Sequence, residues 1–229
     1  MHCARIVSLF CFLAFSIVAM SQEVPKVEVF GGYSYLHIDT NGASTSSLNQ
    51  LCNTVTLGNC PFIFQLHSGF NGWNAAGQFN FNSWLGAVAD FSGHYGTLVT
   101  AKFTSASFQG INFVDFSLPK QSNYDFLIGP VFSYRKPRYK AFAHALLGYE
   151  RVGFGSLQLP SGAGTVPGPP SSNYFVLSLG AGLDVNLNRR FQIRAGEFDY
   201  QHVTHSFSNN DYQNNFRFSV GLVALFGDR

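Results

Sequence analysis

Residues 214–229 read NNFRFSVGLVALFGDR, and apolar side chains occupy every second position of this segment. One face carries only apolar residues, namely Phe216, Phe218, Val220, Leu222, Ala224 and Phe226. The other face is mixed, with Arg217, Ser219, Gly221, Val223 and Leu225. This period of two predicts a β-strand with two unlike faces. The apolar face of such a strand lines the core of a water-soluble barrel, but it contacts lipid in a membrane barrel.

Seven earlier segments repeat the alternation, at residues 27–38, 70–82, 84–96, 123–134, 141–152, 174–187 and 191–203. Short turns and long connections alternate between them, and the long ones are 39–68, 97–122, 153–173 and 204–213. Membrane barrels have strands of about 9–11 residues, short periplasmic turns and long external loops. The sequence therefore predicts an all-β, eight-stranded antiparallel up-and-down transmembrane β-barrel. Segment 153–173 is rich in Gly, Pro and Ser, and it is not expected to contain a strand.

The composition agrees with one barrel domain in a chain of 229 residues. Charged residues make up 11% of the chain, whereas soluble domains have about 25%. Aromatic residues reach 16%, and there are 23 glycines. The net charge of +2 gives no reason to expect a nucleic-acid partner.

The first residues have the pattern of a secretory signal peptide. Arg5 precedes an apolar run at residues 6–18, and the small residues Ala19 and Ser21 suit cleavage after Ser21. We expect a signal peptide at 1–21 and a barrel domain at 22–229; a retained signal anchor is the alternative. Cleavage leaves Cys52 and Cys60 as the remaining cysteines. An even pair in an exported protein predicts a disulfide, which would either staple the first long connection or rigidify a surface epitope.

Charged residues decide which face of the strands points inward. A basic residue facing lipid near the bilayer midplane costs about 2–4 kcal/mol, and an acidic one somewhat less. We therefore assign the small-residue face to the lumen, where the side chains would form a structural polar network: Glu28, Asp90, Asp125, His144, Glu150, Asp184, Arg194 and Arg217. The opposite face would contact lipid through Phe175, Leu177, Leu179, Phe216, Phe218 and Phe226.

Two strands carry local exceptions. In FQIRAGEFDY the residues Glu197 and Asp199 fall on the lipid face unless a bulge near Ala195-Gly196 shifts the alternation. Pro130 lacks an N–H, so its strand must have a bulge or a missing ladder bond there.

No residues in the sequence form a convincing catalytic, cofactor or metal site. The histidines His94, His144, His202 and His205 form no close ligand motif, and no Gly-x-Ser-x-Gly elbow is present. Asp90 and His94 share a face, but four residues of strand separate them by about 13 Å. An eight-stranded barrel has room inside only for side chains or one small ligand, so we expect no open pore.

The chain resembles the small bacterial outer-membrane β-barrel family that includes the OmpA transmembrane domain and opacity-type surface proteins. The resemblance rests on VEVFGGYSYL, FAHALLGYERV, LGAGLDVNLNRRFQIRAGEFDY and the terminal FRFSVGLVALF. It implies insertion in the outer membrane of a diderm bacterium. It also implies that assembly machinery reads an aromatic residue of the last strand, here Phe226, although Gly227, Asp228 and Arg229 follow it.

The leading hypothesis is a non-enzymatic outer-membrane barrel with a role in structure, in surface interaction or in minor permeation through its external loops. Its partners would be outer-membrane lipid, the barrel assembly machinery and an extracellular ligand bound by the long connections, and we expect a monomer without cofactors. Two alternatives remain. One is an exported soluble lipocalin-like barrel that binds a small apolar ligand, and the other is an outer-membrane hydrolase with acidic or histidine groups at the external rim.

Overall fold

The computed structural model of the chain describes residues 24–40, 45–55, 60, 62–103, 116–117, 120–158, 165–204 and 212–227. Its elements in chain order are β1 (Val27–His37), α1 (Thr45–Val55), β2 (Phe62–Leu66), β3 (Gly69–Asn80), β4 (Leu85–Gly96), β5 (Val99–Phe103), β6 (Phe116–Ser117), β7 (Gln121–Arg135), β8 (Tyr139–Phe154), β9 (Leu157–Gln158), β10 (Thr165–Val166), β11 (Ser172–Asn186), β12 (Phe191–Val203) and β13 (Gln213–Phe226). The predicted signal peptide lies outside the described residues.

Eight strands close into one barrel in the order β1, β13, β12, β11, β8, β7, β4, β3. All neighbours are antiparallel, and β1 closes the ring against β13 from Val27↔Phe226 to His37↔Phe216. The eight-stranded up-and-down barrel predicted from the alternation is therefore confirmed. Among the described residues, no helix is long and apolar enough to cross a bilayer.

The two ends of the barrel differ. We call the end that carries the short connections after β3, β7 and β11 the turn end, and the end that carries the long connections the loop end. At the loop end, β2, β5 and β6 form a separate three-stranded sheet. This sheet continues from β3 and β4, since the N–H of His67 donates to the carbonyl of Leu98 at 2.8 Å.

The long connections contain more structure than the sequence predicted. The helix α1 and the strands β2, β5 and β6 lie in segments expected to be irregular. The expectation that 153–173 holds no strand is wrong: β8 continues to Phe154, β9 pairs with β10, and β11 begins at Ser172. Alternation did not predict these pieces because pairing beyond the membrane needs no hydrophobic alternation.

Both predicted irregularities are present. The pairing of β12 with β13 shifts by one residue between Arg194 and Glu197, so the bulge lies at Ala195-Gly196. The pairing of β7 with β8 keeps one register from Ile128↔Leu147 to Val131↔His144, but Gly129 and Pro130 are not paired with β8. Pro130 thus interrupts the ladder without adding a residue.

Candidate functional site

The barrel separates side chains into an apolar outside and a polar inside. The outward residues include Phe175 (51% exposed), Leu179 (49%), Phe216 (57%) and Phe226 (55%), while Leu177 and Phe218 are half-buried on the same side. The interior holds buried side chains of all eight residues assigned to the lumen: Glu28, Asp90, Asp125, His144, Glu150, Asp184, Arg194 and Arg217. A soluble barrel would show the reverse arrangement.

One continuous chain of ion pairs runs along the interior. Its ten members alternate between basic and acidic side chains, in the order Arg135, Glu28, Lys140, Asp184, Arg194, Glu197, His144, Asp199, Arg217 and Asp90. Within this chain each carboxylate has an arginine or lysine beside it, which offsets the cost of removing both from water, and His144 adds a positive charge only when it is protonated.

At the turn end, Glu28 connects two cations. Its Oε1 accepts from Arg135 Nη2 at 2.6 Å, and its Oε2 pairs with Lys140. Lys140 Nζ also reaches Asp184 Oδ2 at 2.7 Å. Asn80 donates to Glu28 as well, at 2.7 Å. The carboxylate is therefore held by partners from three different strands.

Arg194 connects the ion pairs at the turn end to those nearer the loop end. It donates to Asp184 at 2.9 Å and to Glu197 at 2.5 Å. Its guanidinium also stacks on two rings, 4.1 Å from the centroid of Phe30 and 4.4 Å from that of Phe142. Both rings belong to the interior apolar cluster, so Arg194 joins the polar chain to the packed core. The bulge at Ala195-Gly196 is what lets Arg194 and Glu197 both point inward.

Towards the loop end, Asp199 lies between a histidine and an arginine. His144 Nε2 is 2.7 Å from Asp199 Oδ1, and Arg217 Nε donates to Asp199 Oδ2 at 2.9 Å. Arg217 is also paired with Asp90, at 2.7 Å. A Cβ atom on Gly180 would lie 1.9 Å from Asp199 Oδ1 and 2.3 Å from His144 Nε2. The glycine therefore leaves the space that the His144–Asp199 contact occupies.

Two of the predicted network residues lie outside this chain. Asp125 and Glu150 face each other in the ladder between β7 and β8. Asp125 accepts from Ser92 at 2.8 Å and Glu150 accepts from Asn123, and neither has an ion pair with a described residue. One oxygen of each, Asp125 Oδ1 and Glu150 Oε2, has no hydrogen-bond partner in the described part of the chain. The structure thus places both in the lumen but pairs neither with a cation.

The geometry favours a structural network over catalysis or metal binding. Single ligand atoms of His144, Glu197 and Asp199 lie within 4.8 Å of one another. Arg194 and Arg217 already pair with both carboxylates, so a cation there would face two positive side chains. His94 is buried and its Nε2 is 2.8 Å from the Ser34 hydroxyl, at the loop end of the barrel. His205 lies outside the described residues.

Sequence reasoning missed two members of the network. Arg135 and Lys140 lie between the predicted strands at 123–134 and 141–152, but β7 reaches Arg135 and β8 begins at Tyr139. The alternation of β8 could have identified Lys140 as inward-facing. Lys140 is two residues from Phe142 and four from the inward His144, so all three side chains point to the same face. Extending the alternation by one pair of residues would have placed its side chain in the lumen.

The disulfide expected at the loop end is present. Cys52, in α1, is bonded to Cys60 across a sequence separation of 8 residues. The bond links the last part of α1 to the residues just before β2, the first strand of the loop-end sheet.

Comparisons with known proteins agree with this architecture. The sequence profile of the family described as "Outer membrane protein beta-barrel domain" matches residues 7–223. No curated protein matches the chain in sequence. Several solved structures share the fold, including the three compared below, and at their low identities the likeness concerns the fold alone.

The first of these structures is Ail, the attachment invasion locus protein of Yersinia pestis, with 16% identity, a TM-score of 0.51 and coverage of 89% of this chain and 99% of that chain. The second is Neisserial surface protein A, with 11% identity, a TM-score of 0.52 and coverage of 88% and 97%. The third is the outer membrane protein OprG from Pseudomonas aeruginosa, with 11% identity, a TM-score of 0.50 and coverage of 90% and 97%.

These findings give no support to a soluble lipocalin-like barrel. The family match covers residues 7–223, which is nearly all of the chain. The chain therefore belongs to the family of outer-membrane β-barrel proteins, and its location is the bacterial outer membrane.

Proposed function

We propose that this chain is a non-enzymatic outer-membrane protein with a structural or surface-interaction role, and that its long connections carry that role. The observation behind the proposal is the contrast between the interior and the loop end. Paired side chains fill the interior from Arg135 to Asp90. The loop end carries a helix, a second sheet and a disulfide that the barrel itself does not need.

The proposal also covers export, membrane insertion, lipid contact and oligomeric state. Residues 1–21 act as a cleaved signal peptide, and the assembly machinery inserts the barrel with Phe226 in its last strand. The outward residues Phe175, Leu177, Leu179, Phe216, Phe218 and Phe226 contact lipid, and the protein is a monomer. The interior network has a structural role only.

The extracellular ligand would be bound by segments 39–68, 97–122, 153–173 and 204–213. One solved structure of Ail contains sucrose octasulfate, a heparin analogue, which illustrates a polyanionic ligand on a barrel of this fold. In this chain the four segments hold two lysines, Lys102 and Lys120, and no arginine. A neutral or weakly charged surface ligand therefore suits these connections better than a polysulfated one.

The test uses cells that display the full chain and a variant in which residues 155–171 are replaced by a short Gly-Ser turn. Gel mobility with and without boiling first establishes that both barrels are folded. Adhesion to a panel of neutral and sulfated glycans and matrix proteins is then measured. We expect adhesion by the full chain to neutral members of the panel, with a loss of at least fivefold in the variant. Equal adhesion by the variant would contradict a binding role for 155–171, and no adhesion by either protein would contradict the surface-interaction role.

A further inference from the structure

The turn end of the barrel contains a cavity of about 990 Å³. Five basic residues line it, namely Arg135, Lys136, Lys140, Arg189 and Arg190. Among its described lining residues there is no aspartate or glutamate. A cavity with this charge distribution attracts anions.

Three of the five basic residues that line the cavity have no acidic partner, and neither does Arg138, which lies in the same turn as Lys136. Arg135 and Lys140 are paired with Glu28. Lys136, Arg138, Arg189 and Arg190 are exposed and make no ion pair with any residue in the described ranges. A hydrogen bond with Tyr134 raises the pKa of Lys136, so its ammonium stays charged at neutral pH. The surplus of positive charge is therefore concentrated on two turns.

The two turns are held together as one unit. The N–H of Asn186 donates to the carbonyl of Arg138 at 2.9 Å, and the Asn186 side chain donates to that of Pro137 at 2.9 Å. Asn188 Oδ1 accepts from the N–H of Arg190 at 2.8 Å, and the carbonyl of Arg190 accepts from Leu225 at 2.8 Å. The backbone positions of the four free cations are thus fixed before any ligand binds, which reduces the entropy lost on binding.

The same cavity reaches the outer surface of the barrel. Tyr139, Phe191 and Phe226 line it and are 39%, 46% and 55% exposed. Aromatic residues at such positions lie at the level of lipid headgroups. The cavity also borders Gln192, whose buried Oε1 has no hydrogen-bond partner among the described residues. Cations, an aromatic edge and a free acceptor oxygen suit a phosphate group that carries a hydroxylated headgroup and acyl chains.

We propose that this cavity binds the headgroup of an anionic phospholipid, of the phosphatidylglycerol class, from the periplasmic leaflet. Short turns lie on the periplasmic side of outer-membrane barrels, so the cavity opens into that leaflet. Lys136, Arg189 and Arg190 contact the phosphate, and Phe191 and Phe226 contact the start of the acyl chains.

Native mass spectrometry of the folded full chain in detergent tests the proposal. The protein is titrated with phosphatidylglycerol or with phosphatidylcholine, and the dissociation constant of the first bound lipid is measured. We expect at least a tenfold preference for phosphatidylglycerol. The variant Arg189→Gln/Arg190→Gln should bind it at least fivefold more weakly, as should Lys136→Gln/Arg138→Gln, which changes the other turn.

The matched control is Lys120→Gln/Arg151→Gln, which removes two exposed positive charges at the loop end. Its affinity should stay within twofold of that of the unchanged protein. Gel mobility with and without boiling verifies that each variant is folded, and having two turn-end variants keeps the test valid if one fails to fold. No lipid preference, or an equal loss in the control, would overturn the proposal.

Two competition experiments separate the lipid from other anions. Inorganic phosphate at the concentration of the lipid should leave phosphatidylglycerol bound, because it lacks the acyl contacts. If phosphate displaces the lipid at equal concentration, the cavity is a site for free anions. If a soluble acidic peptide binds more tightly than the lipid, the partner is a periplasmic peptide. Either result would refute the lipid assignment.

Discussion

Gly180 illustrates how individual residues make room for the interior ion pairs. It lies opposite His144 in β8 and opposite Asp199 in β12. These two side chains approach each other over the glycine, and their nearest atoms lie 1.9 Å (Asp199 Oδ1) and 2.3 Å (His144 Nε2) from where a Cβ would be. A larger residue must displace at least one of them.

We expect Gly180→Ala to destabilise the barrel by about 1–3 kcal/mol, the usual cost of overpacking a filled interior. The measurement is urea unfolding in lipid vesicles, followed by the fluorescence of Trp73 and Trp84. Gly77→Ala is the control, since a Cβ there meets nothing within 4 Å. Equal effects of the two substitutions would show that the His144–Asp199 contact does not depend on Gly180.

Loss of Arg217 would leave Asp90 without an ion pair among the described residues. Arg217 is 1% exposed and pairs with both Asp90 and Asp199. Removing one member of a buried ion pair costs about 3–5 kcal/mol. We expect Arg217→Met to lose stability in this range in the same unfolding assay, while the exposed Arg151→Met stays within about 0.5 kcal/mol of the unchanged protein.

A double variant tests whether the cost comes from the pairing. Arg217→Met/Asp199→Asn should lose less stability than the two single variants added together, because the second substitution removes a buried charge that has already lost its arginine partner. Strict additivity would mean that the two residues contribute independently.

At the scale of single strands, the bulge in β12 keeps charge out of the lipid. The extra residue lets Arg194 and Glu197 point inward although three positions separate them. The same offset appears against β11, where Leu183↔Gly196 is followed by Asp184↔Arg194. Ala195 is therefore unpaired with respect to both neighbouring strands.

We expect deletion of Ala195 to preserve the folded barrel, because a regular ladder would then still place Arg194, Glu197 and Asp199 inward. Deletion of Ala181, another outward alanine, should prevent folding, because β11 has no extra residue there and every side chain beyond it would change face. Gel mobility with and without boiling reports both results. A folded Ala181 deletion would mean that β11 tolerates a shift in register.

The success of sequence reasoning also divides along strands and connections. Alternation predicted all eight barrel strands and the inward position of residues such as Asp184, since every transmembrane strand must separate lipid-facing from lumen-facing residues. It could not predict α1 or the sheet of β2, β5 and β6, which lie outside that constraint. The sequence also could not predict which network residues pair with each other, because the partners are distant in the chain. A separation of 112 residues lies between Lys140 and Glu28, and one of 127 between Arg217 and Asp90. Such pairs are set by the closure and register of the whole ring.

For the molecule as a whole, the filled interior predicts no permeation. The ion-pair chain extends from Arg135 at the turn end to Asp90, and Ser92 and Asp125 continue it by hydrogen bonds. We expect no stepwise conductance when the folded protein is added to a planar lipid bilayer in molar KCl. A boiled sample of the same preparation is the control for leakage. Reproducible steps that depend on folded protein would show that ions pass through the network.

The unequal ends of the barrel have a consequence for how it enters the membrane. The four long connections together contain five charged residues, whereas the two turns at 135–140 and 188–190 contain six basic ones. During insertion the long connections must be translocated through the hydrocarbon layer, and each basic residue there costs about 2–4 kcal/mol at the midplane. Segments with few ions cross more easily than the basic turns, which remain on the side of entry. We therefore expect the charge distribution to give insertion a direction and to keep the finished barrel from inverting.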